Sequence, residues 1–248
     1  GVMNNDRVAI VISNYNMPER TDALCAHIRA RVIWPHDLVV VDNGSDLVSP
    51  SKHTAVQLNP NRQTTGGWLA GIDYAGPGYL AYWILITSTE FAPSDDDPLA
   101  PMAGLLLDDP QAVGVHPALT ADSTTAWEHL KARGGQPRRT WMIDNIAALW
   151  RADWLHEIGL FDPALRYAWG VDLETSWAAR RLGRSLWVDE RVRVTKITDI
   201  GYSMNRMNMS AEDRRRFAGE NMAHVLCKRY GPDWWQRTTQ EYVSDEMV

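Results

Sequence analysis

The chain is poor in cysteine, with only Cys25 and Cys227 in 248 residues. The two lie far apart in helix-like segments, so they are expected as reduced thiols of the core rather than as a disulfide framework. Long apolar runs are also missing, and none approaches the ~20 residues that cross a bilayer. The polar N-terminus leads into an apolar run too short for a secretory leader, so the expectation is a soluble, cytoplasmic protein. Positive charge is not in excess. A formal net charge of −6 excludes the broad basic face that nonspecific nucleic-acid binding needs, although it leaves room for a local basic groove. Internal repeats and low-complexity linkers are absent, and 248 residues suit one α/β domain with an appendage and a substantial core.

Two short apolar runs carry most of the information. Val8-Ala9-Ile10-Val11-Ile12 is closed by Ser13-Asn14-Tyr15-Asn16, and Leu38-Val39-Val40-Val41 by Asp42-Asn43-Gly44-Ser45-Asp46. Continuous β-branched runs of this length read as strands buried on both faces of a parallel sheet. Pro18 to Ala30 between them has a helix's length, with Leu24, Cys25 and Ile28 at core spacing. Such a unit turns both strand ends to one edge, where open α/β sheets bind ligands. Asp42 at that edge suits the imide or ribose hydroxyls of a nucleotide, or else caps the turn and the helix that follows.

Further on, the paired Gly66-Gly67 allow close backbone approach ahead of a helix, and Tyr82 to Ile86 reads as a strand ending in Thr87-Ser88-Thr89-Glu90. Ser94 to Pro98 reads as the start of a helix over Leu99 to Leu107, because acids there complement the helix dipole. Val113 to Val115 reads as a strand, 120–140 as a loop, and Asp153 to Ile158 as a short helix. A helix is expected from Leu173, capped by Asp172. The twelve tryptophans serve as core or as stacking platforms for sugars.

Together the two strand ends resemble the opening of the family-2 inverting glycosyltransferases of the GT-A fold. Members begin with a strand ending in Thr-x-Tyr-Asn, followed by one ending in Val-Asp-Asn-Gly-Ser, and the likeness runs over roughly residues 7 to 200. Gly159 to Asp162 is similar to the family's Gly-x-Phe-Asp, and Trp169-Gly170-Val171-Asp172-Leu173-Glu174 to its Glu-Asp-x-Asp-Leu, with Val171 and Glu174 departing from it. Arg180-Arg181-Leu182-Gly183 follows as the family's Arg-x-x-Gly would.

The resemblance implies an α/β, GT-A-type, Rossmann-like, mostly parallel sheet flanked by helices over residues 1–209, with a C-terminal helical extension over 210–248. It implies an inverting transferase that takes a sugar from a nucleotide diphosphate sugar, most plausibly uridine-linked. The acceptor would be a hydroxyl of a glycan, lipid-linked, protein or small molecule. Asp172 is then the general base, since an attacking hydroxyl must lose its proton. Ser13, Tyr15, Asp42, Arg62, Thr89 and Lys196 are the donor-site candidates, and Asp144, Asn145 and Trp169 flank the acceptor.

The family's metal-binding Asp-x-Asp is replaced by Thr87-Ser88-Thr89, and Lys196 stands where a His ligand is expected. Three readings follow. Lys196, helped by Arg206 or Arg62, neutralises the leaving diphosphate without metal; or Glu90 alone holds Mg²⁺ or Mn²⁺; or the protein is a catalytically silent sugar-nucleotide or glycan-binding module. A nucleotidyltransferase would instead carry a Gly-rich phosphate loop with a basic residue after the first strand.

Overall fold

The computed structural model describes residues 4–197 and 209–239. In chain order these form β1 (Val8–Asn14), α1 (Pro18–Arg31), β2 (His36–Asn43), β3 (Thr54–Leu58), α2 (Gln63–Ala75), β4 (Ala81–Leu85), β5 (Thr89–Phe91) and α3 (Ala100–Asp108). There follow β6 (Ala112–Leu119), β7 (Arg138–Thr140), β8 (Leu149–Arg151), α4 (Ala152–Glu157), α5 (Val171–Arg181), β9 (Ser185–Lys196), α6 (Ala211–Tyr230) and α7 (Trp234–Thr239). Among the described residues the strands make one sheet in the order β3-β2-β1-β4-β8-β6-β9-β5, with β7 on β9.

The two apolar runs are the neighbouring strands β1 and β2, parallel with Ile10 opposite Leu38, and β4 joins the other side with Trp83 opposite Ile10. Alternation along β1 decides the two layers. Val8, Ile10 and Ile12 pack with Leu24, Cys25 and Ile28 of α1 and Met102 and Leu106 of α3. Ala9 and Val11 face Trp68 and Ile72 of α2 and Trp154 and Leu155 of α4. The β3-β2-β1-β4 half is parallel, whereas β8 pairs antiparallel with both β4 and β6. This is the α/β sheet flanked by helices that the sequence implies.

Glycine sets how close α2 comes. A Cβ on Gly67 would overlap the Ser13 hydroxyl, and one on Gly71 would overlap Val11, so the helix start lies directly on the end of β1.

Several expectations change. The segment read as a loop over 120–140 contains β7 and a helical turn at Glu128–Leu130, and β3 is an additional strand. Asp97 lies ahead of α3 but holds two segments at once: Oδ1 accepts from the Leu99 and Ala100 amides at 2.8 and 3.2 Å, Oδ2 from Ile33 and Trp34 at 2.9 and 2.7 Å. Cys25 is buried, but Cys227 is exposed on α6, so only one thiol belongs to the core. α5 begins at Val171, with Gly170 in the left-handed region (φ 91°) as its cap, and Asp172 sits inside the first turn. Arg206 lies outside the described residues. No described helix is long and apolar enough to cross a membrane.

Candidate active site

The site begins where β1 and β2 end in register, Asn14 beside Asp42. Asp42 is fully buried, and both its oxygens are taken up within the protein. Oδ1 accepts from the Ser45 hydroxyl at 2.6 Å and Asn14 Nδ2 at 3.1 Å, and Oδ2 accepts from the Ser45 amide at 3.0 Å. The carboxylate thus ties the turn after β2 to β1. Its neighbour Asn43 faces the other way. Asn43 Oδ1 accepts from the Arg62 amide at 2.8 Å and Nδ2 donates to the Gln63 carbonyl at 2.7 Å, which fixes the loop that opens α2. Tyr15 donates to Asp46 at 3.1 Å; burial, then that carboxylate, raises the phenol's pKa.

These ends form the floor of a cleft of about 380 Å³. Ser13, Tyr15 and Asn43 line one wall, Asn61, Gln63 and Thr64 the start of α2, and Ile86, Thr87 and Ser88 the end of β4. Trp169, Lys196, Arg214 and Arg215 close it. Among the described residues the lining carries those three cations and no carboxylate, in a chain of net charge −6.

α6 supplies the arginines, and its position follows from local chemistry. Ser210 caps the helix by accepting the Asp213 amide at 3.0 Å, a favoured N-cap arrangement. Asn221 then bonds the Arg166 amide and the Ala164 carbonyl, both at 3.1 Å. Arg229 pairs with Glu174 at 2.8 Å and also with Asp162. Arg214 donates from Nη2 to Thr64 at 2.8 Å and lies 5.0 Å over the Tyr167 ring. Its Nη1 is buried with no partner among the described residues. Such an orphaned guanidinium nitrogen suits an anion.

Asp172 is buried at the start of α5 and accepts the Leu173 amide at 2.9 Å. Burial raises its pKa well above the usual carboxylate range, and the nearby Asp144 charge raises it further. Asp144 is itself raised by burial, while the Lys196 charge pulls it down. Asp172, Asp144 and Lys196 therefore form one electrostatic chain from the helix to the cleft. Both carboxylates cannot ionise cheaply side by side, which adds to the effect of burial on Asp172.

The sequence candidates divide on these contacts. Ser13, Tyr15, Lys196 and Trp169 line the cleft, and Trp169 is 44% exposed there. The strained Ala168 (φ 73°) and Gly170 (φ 91°) flank that indole. Arg62 is exposed outside the lining. Thr89 is buried and donates to the Ile146 carbonyl at 3.1 Å. Asn145 is buried and accepts the Trp150 indole at 2.7 Å, with Nδ2 unpartnered among the described residues. Arg214, Arg215 and Trp127 were not singled out by sequence. The only signal for the arginines was the charge run Glu212 to Arg216, which reads equally as a solvated helix face.

The described residues do not fit a divalent ion: hard cations take oxygen ligands, whereas among the described residues the cleft lining offers no carboxylate and no group of three or more His, Cys, Asp or Glu is placed to hold one. Glu90 pairs with Arg20 at 3.2 Å, its side chain 58% exposed, and does not line the cleft.

No family model and no curated protein matches the sequence. Solved structures do match. GalNAc-T7 with UDP, GalNAc and Mn²⁺ superimposes with a TM-score of 0.58 at 13% identity, over 90% of this chain and 58% of that one. The mannosyltransferase PcManGT from Pyrobaculum calidifontis, with GDP-Man and Mn²⁺, gives 0.61 at 16% identity over 94% of this chain and 72% of that one. This chain therefore spans little more than half the length of the first. It has the GT-A fold of nucleotide-sugar transferases.

Proposed function

We propose that the chain is a glycosyltransferase that moves a sugar from a nucleotide diphosphate sugar, with uridine as the nucleoside, to an acceptor hydroxyl with inversion. The observation that carries this reading is the acid-free cleft holding Lys196, Arg214 and Arg215 at the nucleotide edge of a GT-A sheet. Fixed cations in a cleft favour a diphosphate most when its charge grows, as it does when the bond to the anomeric carbon breaks. On the opposite side Asp172 takes the acceptor proton as the hydroxyl oxygen bonds that carbon. The diphosphate leaves with the bonding electron pair, and a single displacement of this kind inverts the centre.

Ser13, Tyr15 and Asn43 are assigned to the nucleoside, with Asp42 positioning the strand ends from behind. No step is routed through a metal. A silent binding module is the second reading, favoured by the lack, among the described residues, of a donor set for the ion that both structural neighbours bind. Thermal shift with UDP, GDP and UDP-sugars in chelator tests the first requirement, because binding to the folded state raises the midpoint. UDP is expected to raise it without metal; no shift with any nucleotide refutes the proposal.

A further inference from the structure

Four tryptophans, Trp127, Trp141, Trp234 and Trp235, gather on the side of α5 that carries Asp172, and the cleft does not include them. Arg180, two turns along α5 from Asp172, covers Trp141, which meets Trp127, and Trp127 is among the groups whose proximity acts on the Asp172 carboxyl. The Trp127 ring stacks on Trp235 at 6.4 Å and 18°, and meets Trp141 edge-on at 5.8 Å. Trp141 in turn packs on His129 at 4.9 Å and lies under the Arg180 guanidinium at 5.3 Å. Arg180 fixes the arrangement by donating to the Thr238 carbonyl at 2.5 Å, which docks α7 on α5. Trp235 is nevertheless 41% exposed, so this aromatic cluster presents a face to solvent.

We propose that Trp127 and Trp235 form a wall of the acceptor subsite, and that the acceptor is a carbohydrate whose ring lies on the Trp235 face with one hydroxyl turned to Asp172. The proposal rests on the sugar-transfer reading above and names its acceptor class. A pyranose presents polarised C–H bonds on one face and hydroxyls around its edge. An indole face with its negative quadrupole receives the first, and the polar neighbours Asp144 and His129 suit the second. A lipid acceptor would need a continuous apolar strip. Among the described residues the exposed large apolar side chains flanking α5 are Trp169 and Leu182, at its opposite ends, and they do not make one.

Saturation-transfer NMR on the full chain with UDP present tests this. The probes are methyl glycosides of glucose, galactose, mannose and rhamnose, cellobiose, and citronellyl phosphate as the lipid arm. Saturation is expected on ring protons of at least one glycoside. It should fall about tenfold or more in Trp235→Ala and survive in Trp235→Tyr, which keeps an aromatic face. Because Trp235 is exposed, truncation should leave the circular dichroism spectrum and the UDP affinity unchanged. The proposal is overturned if no glycoside is saturated, if Trp235→Ala leaves the signal intact, or if only citronellyl phosphate responds. Calorimetry with UDP on the same samples tests the underlying reading separately. Glycoside binding without UDP binding would remove the nucleotide-sugar reading and leave the aromatic wall standing.

Discussion

Replacing Asp172 by Asn changes one buried atom and has two separable consequences. The amide keeps an oxygen for the Leu173 amide, 2.9 Å away, and fills the same volume, so the fold should persist. The base is lost, and turnover should fall by about 10²–10⁴-fold, the usual worth of a positioned general base. The second consequence concerns stability. Burial and the Asp144 charge raise the proton affinity of Asp172 on folding. The native state therefore binds more protons than the unfolded chain between the unfolded pKa, about 3.9, and the raised folded one. Wild-type stability from this group thus declines as pH rises through that window. Each tenfold rise in proton affinity costs about 1.4 kcal/mol once the carboxylate is ionised, or roughly 3–6 °C in Tm for a chain of this size.

Asp172→Asn should accordingly turn over far more slowly yet melt higher than wild type at pH 8, with the gap closing toward pH 4. Wild-type kcat/KM should climb with pH, its midpoint well above the usual Asp value. Calorimetry across pH and a donor-consumption assay read both. A variant that turns over normally, or whose Tm advantage grows as pH falls, refutes the assignment.

Asp144→Asn removes the charge that pushes Asp172 up, and the ascending limb of the kcat/KM profile should move to lower pH. Lys196→Ala should cost about 10²-fold or more in turnover, comparable to losing one oxyanion donor; Mn²⁺ should not restore it, and Lys196→Arg should retain part of it. Asp42→Ala leaves Asn14 and Ser45 without a buried partner and should lower stability by about 1–3 kcal/mol, read by urea unfolding. By contrast, Asn43→Ala frees the Arg62–Gln63 loop and should weaken UDP binding tenfold or more by calorimetry.

The sheet was legible because β1 and β2 are buried on both faces and so read as unbroken apolar runs. Their polar ends marked the ligand edge for the same reason. Which side chain faces the cleft was not legible. Asp42 and Asn43 are adjacent on a strand and point to opposite faces, and only the Ser45 and Asn14 contacts reveal that Asp42 is the one turned away. Asp172 was singled out through its motif. Its raised proton affinity comes first from burial and then from Asp144, 28 positions earlier, neither of which spacing can disclose. Arg214 and Arg215 belong to a helix whose sequence reads as a solvated charge run; docking through Asn221 and Arg229 brings them to the cleft. The short strands β5, β7 and β8, of three residues each, exist through their partners and carry little pattern of their own.

The central claim is a single displacement at the anomeric carbon. The most direct measurement is ¹H NMR of the sugar first released, to water or to an acceptor, from α-linked UDP-glucose, UDP-galactose and UDP-N-acetylglucosamine at high protein concentration with chelator present. The account predicts that at least one donor is consumed and that the β-anomer appears first, before mutarotation. An α-anomer as first product, or consumption that needs added Mn²⁺, would contradict it.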